Sequence, residues 1–161
     1  MRKFIEVSLT FLLVASMASA VLIDQQAAHT VDQRLVDLTR ELTAQLTAKG
    51  FTSGAMLYHD DGFVLANTAN FKALEYEIYM IMINMYDKEY FKSKGVVLGG
   101  VRYNLVKTDE RSLVAEKGSD GIVIAPYSRT STWFIGVFDK RLPREKAENA
   151  IDDVCKGLGL Y

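Results

Sequence analysis

From residue 31 onward apolar side chains recur at helical intervals: Val31, Leu35, Leu38, Leu42 and Leu46, ending near Gly50. Repeats of three and four residues set them along one side of a helix. Thr30 and Gln33 ahead of them have the spacing of a capping box. Two short apolar runs follow, "SGAMLY" and "FVLANT", separated by "HDDG". Asp61-Gly62 in that separator supplies the backbone freedom of a tight hairpin turn. The stretch "FKALEYEIYMIMINMY", residues 71–86, is charged at its start and almost wholly apolar afterwards. A helix apolar on every side is either buried or waits for a partner. Met80, Met82 and Met85 would suit an adaptable binding surface, but core filling beneath a sheet is the plainer expectation.

Beyond Gly95 the pattern changes to short strands over 95–99, 101–107, 112–117, 120–126 and 131–138. Their connections are tight and polar, so an antiparallel meander is expected rather than parallel crossovers. Pro143 stands where a first helical position is expected. Ala147, Ala150, Ile151, Val154 and Leu158 then form the inner stripe of a closing helix. Helix, hairpin, helix, meander, helix is the order of an α+β layer fold.

Composition narrows the function classes. With 161 residues and a hydrophobic fraction of 49%, the chain builds one core plus, at most, an appendage. A formal net charge of −1 argues against the broad attraction that nucleic acid demands, so any basic site is local. One cysteine, Cys155, forms no internal disulfide, and with only His29 and His59 it assembles no Cys/His metal cluster. Cys155 falls among the apolar positions of the last helix and reads as a core thiol. His59, Asp60 and Asp61 are adjacent, yet a turn with Asp-Gly explains them without catalysis. The chain has no phosphate loop, so neither an enzyme nor a cofactor is expected.

Residues 1–29 stand apart as an apolar extension, with the domain proper over 30–161. Arg2 and Lys3 precede a charge-free run from Val7 to Ile23, and Ala18-Ser19-Ala20 fits a secretory cleavage pattern. As a helix the run would extend only ~26 Å, short of the roughly 30 Å of bilayer hydrocarbon. Glu6 and the single cysteine weigh against a signal. A signal-like segment and an arm that docks on the domain both stay open.

Three stretches carry a family resemblance: "GFTSGAMLYHDDGFVLANTANF" (50–71), "VLGGVRYNLVKTDERSLVAEKGSDGIVIAPYSRTSTWFIGVFDK" (97–140) and the final helix. In their order and spacing they resemble profilin. The Gly99-Gly100-Val101-Arg102-Tyr103 step, the Lys117-Gly118-Ser119-Asp120-Gly121 turn and the Gly136-Val137-Phe138-Asp139 strand end are the points of likeness. The length and the extension resemble a divergent member, of the kind found in Asgard archaea. The resemblance implies about seven antiparallel strands, the terminal helices on one face and smaller helices on the other. It also implies a cytoplasmic, monomeric protein of the cytoskeleton that binds actin monomer and regulates polymerisation.

The actin face implied by the resemblance falls on Arg102, Asn104, Lys107, Lys117 and Lys146. Arg102 and Asn104 share a face by alternation, whereas Lys107 joins them only if the strand bulges. Solvating the sheet and blunting its edges would explain the same cations without a partner. Arg102 is the expected anchor, because a guanidinium grips a carboxylate in two places. For proline-rich segments the matching positions are Leu42, Leu65 and Tyr161. Thr39, Leu42 and Leu65 stand where the family carries aromatics, so weak binding is expected there; Phe4 and Phe11 of the extension could substitute. Trp133, inside the last strand, reads as core. Lys140, Arg141 and Arg144, with Lys146 beside them, form the densest candidate for acidic phosphoinositides. A Roadblock-type scaffold, dimeric and serving GTPase regulation, is the alternative family for "LVDLTRELTAQLTAKGFTSGAMLYHDDGFVLA".

Overall fold

A computed structural model describes residues 30, 32–58, 60–127 and 131–159, and the chain divides into two compact units, 1–37 and 38–161. In the first, the described residues are helical, and Gln33 Nε2 donates to Asp37 Oδ1 at 3.3 Å. The extension over 1–29, with Phe4 and Phe11, lies outside the described residues. Among the described residues no helix is long and apolar enough to cross a membrane.

Residues 32–48 form α1, of which 38–48 belong to the second unit. The hairpin β1 (Ser53–Tyr58) and β2 (Val64–Asn67) follows, then α2 (Glu75–Asn84) and α3 (Lys88–Lys94). The meander is β3 (Val96–Leu98), β4 (Val101–Thr108), β5 (Leu113–Lys117), β6 (Asp120–Tyr127) and β7 (Thr132–Phe138), closed by α4 (Arg144–Gly157). The seven strands make one sheet in the order β2-β1-β7-β6-β5-β4-β3, every pair antiparallel. Each strand lies within a residue or so of its expected span. Pro143 is the N-cap of α4 rather than its first helical residue, a shift of one position.

Alternation along the strands sends side chains into two cores, one on each face of the sheet. Met56, Val114, Val123 and Phe134 pack with Leu42 and Leu46 of α1 and with Ala147, Ile151 and Val154 of α4. Leu57, Ala115, Ile122, Ile135 and Trp133 point the other way, onto Ile78, Ile81 and Met85 beside α2 and Phe91 of α3. Trp133 is therefore core, as its position in the last strand suggests. Cys155 is also buried, and loss of water pushes its thiol up to about 12.

α2 departs from expectation in two ways. It stops at Asn84, and a separate helix starts behind Asp87, whose carboxylate accepts the Tyr90 backbone N–H at 2.9 Å. That is an N-cap. Second, core filling describes only the inner side of α2. Tyr76 (68% exposed), Tyr79 (57%) and Ile83 (57%) face outward, because the sheet can cover only one side of a helix laid upon it.

One buried carboxylate ties α2 to the meander. Glu77 accepts the backbone N–H of Leu74 at 2.9 Å and those of Gly99 and Gly100 at 2.8 Å each. Gly99 and Gly100 both have positive φ, +61° and +74°, as the two-residue turn between β3 and β4 requires. Three donors left over by the turn and by the start of α2 are thus satisfied by one side chain.

Candidate functional site

The candidate surface is built on β4, next to the edge strand β3. Arg102 pairs with Val97, and Asn104 with Glu116, so these four side chains share the face that carries the terminal helices. Between Leu105 and Lys107 the register slips by one residue, a β-bulge at Val106. Lys107 then pairs with Val114, two residues from Glu116, and returns to the same face as Asn104. Had Val106 taken a regular place in the ladder, strict alternation would have turned Lys107 to the other side.

Lys107 is already engaged. Its ammonium contacts Glu148 Oε2 of α4 at 2.5 Å and Asp109 Oδ2 at 2.9 Å. Ser112 Oγ also donates to Glu148 Oε2, at 3.0 Å, and Asp109 Oδ1 accepts the N–H groups of Arg111 and Ser112. Donating hydrogen bonds to Glu148, then to Asp109, pushes the Lys107 ammonium up, and accepting from Lys107 holds Asp109 below the usual carboxylate range. A groove of about 340 Å³ opens beside this cluster, lined by Arg111, Ser112, Glu148, Asn149, Asp152 and Cys155.

Arg102 is exposed but not idle. One of its terminal nitrogens donates to the Ser93 carbonyl at 3.0 Å, near the end of α3, and its side chain lies against Gly95. From α4, the residues that reach β4 and β5 are Glu148 and Arg144, the latter 3.4 Å from Glu116. Lys146 sits two positions after Arg144, about 200° further round the helix, on a different side. Lys117 pairs with Asp120 at the β5–β6 turn and shares the face of Ala115, opposite to Arg102. The structure thus brings Arg102, Asn104 and Lys107 onto one surface and sets Lys117 and Lys146 apart from it. Asp109, Glu116 and Glu148 adjoin this surface, and Ser112 is buried beneath it; all four escaped sequence reading, since their contacts depend on the bulge and on the placement of α4.

The basic run before α4 is largely spoken for. Arg141 grips Asp139, Nε reaching both carboxylate oxygens at 3.0 Å, and that contact holds Asp139 below its usual range. Arg144 is shared between Glu116 and Glu145. Among the described residues, Lys140 and Lys146 alone of this run have no acidic partner. Of the positions expected to meet proline-rich segments, Leu42 is 0% exposed at the centre of its core and offers no surface. Leu65 is half-buried, and Tyr161 lies outside the described residues. The turn acids do structural work: Asp61 Oδ1 accepts the Phe63 N–H at 2.9 Å, and His59 lies outside the described residues. Among the described residues no three His, Cys, Asp or Glu side chains converge to hold a metal ion.

The profilin family model matches residues 38–159. Profilin-3 of Dictyostelium discoideum is 27% identical over 120 residues, 74% of this chain and 90% of that protein. The crystal structure of Acanthamoeba castellanii profilin II aligns with a TM-score of 0.62 at 26% identity, covering 70% of this chain and 87% of that one. LokiProfilin2, solved as a complex with rabbit actin, shares the fold with a TM-score of 0.59 at 17% identity, over 78% of this chain and 98% of that one. The family match and the seven-stranded sheet decide against the Roadblock alternative: the chain belongs to the profilin family.

Proposed function

We propose that this protein binds actin monomer and thereby regulates actin polymerisation, as a non-enzymatic monomer of the cytoplasm and cytoskeleton. The observation that carries the reading is family membership joined to the fold shared with LokiProfilin2, whose structure is a complex with rabbit actin. The docking face is the terminal-helix side of β4, where Arg102, Asn104 and Lys107 stand together, and Lys117 and Lys146 lie outside it. Arg102 supplies the bidentate contact to an actin carboxylate. Lys107 fixes α4 over β4 through Glu148 and shapes the surface more than it binds.

The test is spontaneous actin polymerisation followed by fluorescence, with the full chain and with residues 1–29 deleted. Dose-dependent slowing is expected from both, and Arg102→Glu and Asn104→Glu should each lose most of it while keeping the wild-type circular dichroism. Slowing that survives both substitutions would move the site off β4; no slowing by any form would remove actin as the partner.

Finer binding properties follow the same reading. Proline-rich segments would meet only Leu65 and Tyr161 by the terminal helices, so their binding is weak. Phosphoinositide headgroups would meet Lys140 first, because Arg141 and Arg144 must leave their carboxylates to contribute. Co-sedimentation with vesicles containing phosphoinositide should therefore be slight and should vanish with Lys140→Glu.

A further inference from the structure

On the face of the sheet opposite Arg102, α2 leaves a stripe that the fold does not use. Tyr76, Tyr79, Ile83 and Tyr86 recur at helical intervals and are all more than half exposed. Tyr76 to Ile83 extends about 11 Å along the axis at 1.5 Å per residue, and Tyr86 follows two residues past the end of the helix. Phe63, 62% exposed, rises from the β1–β2 hairpin beside them. Between Phe63 and Val64 on one wall and Tyr76, Ile78 and Tyr79 on the other runs a groove of about 510 Å³. A contiguous apolar patch of this kind marks an interaction surface more often than an accident of composition.

The charges around it choose the partner. The groove's ionisable carboxylates are Asp61 and Glu75, and α2 carries no lysine or arginine. Asp87, just beyond the stripe, is followed at once by Lys88, so the uncompensated negative charge lies at the groove itself. A second copy centred on the groove would set Asp61 and Glu75 against their own equivalents, with no cation in the lining to compensate. An anionic membrane would meet the same repulsion. What fits is apolar in the middle and positive at its flanks.

We infer that the outer side of α2 is a docking groove for a basic amphipathic helix of a partner protein. One large apolar side chain of that helix enters the groove between Phe63 and Tyr79. Its neighbours one turn away pack along Tyr76, Ile83 and Tyr86, as one helix seats its ridge on another. Lysine or arginine beside the anchor meets Glu75 and Asp61.

The probe is a synthetic leucine–lysine peptide that forms an amphipathic helix, labelled for fluorescence anisotropy and titrated with the full chain. Saturable, salt-sensitive binding is expected, weakened roughly tenfold by Tyr79→Ser and by Glu75→Lys. Arg102→Glu, on the other face, should bind the peptide as the wild type does, and the leucine–glutamate counterpart of the peptide should not bind. Circular dichroism of each variant confirms that it is folded. Wild-type affinity in both α2 variants, or equal binding of the leucine–glutamate peptide, would overturn the proposal. So would a dimer by light scattering that Ile83→Glu dissolves, which would make a second copy the occupant. Partition of the protein onto anionic vesicles through Tyr79 would assign the stripe to a membrane instead.

Discussion

α4 and α2 both cover the sheet, one on each face, and they treat their outer sides in opposite ways. α4 buries Ala147, Ala150, Ile151, Val154 and Cys155 and gives the outside almost entirely to charge. Several of those charges close on neighbours: Arg144 on Glu116, Glu148 on Lys107, Lys156 on Asp152. α2 buries Glu77, Ile78 and Ile81 and leaves tyrosine and isoleucine in water. The inner sides hold the fold together, and only on α2 is the outer side costly to solvate, which is the observation behind the docking groove inferred there.

The same substitution on each helix separates these roles most sharply. Ile151→Ala empties a site that is 1% exposed and should cost about 3 kcal/mol in urea unfolding. Ile83→Ala, on the open side of α2, should stay within about 0.5 kcal/mol. A comparable loss from both would mean that the α2 stripe is packed after all.

A smaller effect comes from pH and belongs to α4 alone. Burial pushes the Cys155 thiol up to about 12, whereas the unfolded chain ionises near the ordinary thiol value, about 8.5. Between those values the unfolded state binds fewer protons than the native state, so stability falls as pH rises through that window. Cys155→Ala should flatten this alkaline decline. Thiol labelling of the wild type at pH 8 should be slow until denaturant exposes the residue. Rapid labelling of the native protein would contradict its burial.

The smallest expected change is at Lys107. Replacing it with methionine removes contacts that are nearly half exposed, and the loss should be no more than about 0.5 kcal/mol, fading at high salt. The raised Lys107 value stabilises the fold below the ordinary lysine range and is lost as pH climbs through it. The lowered Asp109 value does the reverse, its contribution disappearing as acid protonates the folded carboxylate. A slightly shallower acid limb in Lys107→Met than in the wild type would confirm the pair, the remaining slope coming from Asp139 and Asp153, which are also held below the usual carboxylate range.

What could be read from the chain alone follows from how local each signal is. The stripe of α4, the Asp-Gly turn and the alternation of the meander are properties of neighbours in sequence, and each reappears in place. α3 rests on Asp87 capping Tyr90, a local signal just past the apolar run over 71–86, and the short charged stretch that follows carries too little periodicity to be read as a helix. The outer side of α2 was not legible, because composition does not say how many sides of a helix another layer covers. Leu42 has the right position for a ligand-facing residue, but its depth depends on α4 and β7, which lie some hundred residues away. The company Lys107 keeps turns on one register slip, which strand alternation by itself cannot reveal.

That slip gives Val106 a standing unlike that of its neighbours. Its side chain is 43% exposed, so many residues could occupy the position at little expense. What counts is that it stays out of the ladder: drawn into a regular pairing with Val114, it would turn Lys107 off the α4 side and leave Glu148 without its cation. Removing the residue outright would do no such thing, since Leu105 would still face Ala115 and Lys107 would still face Val114.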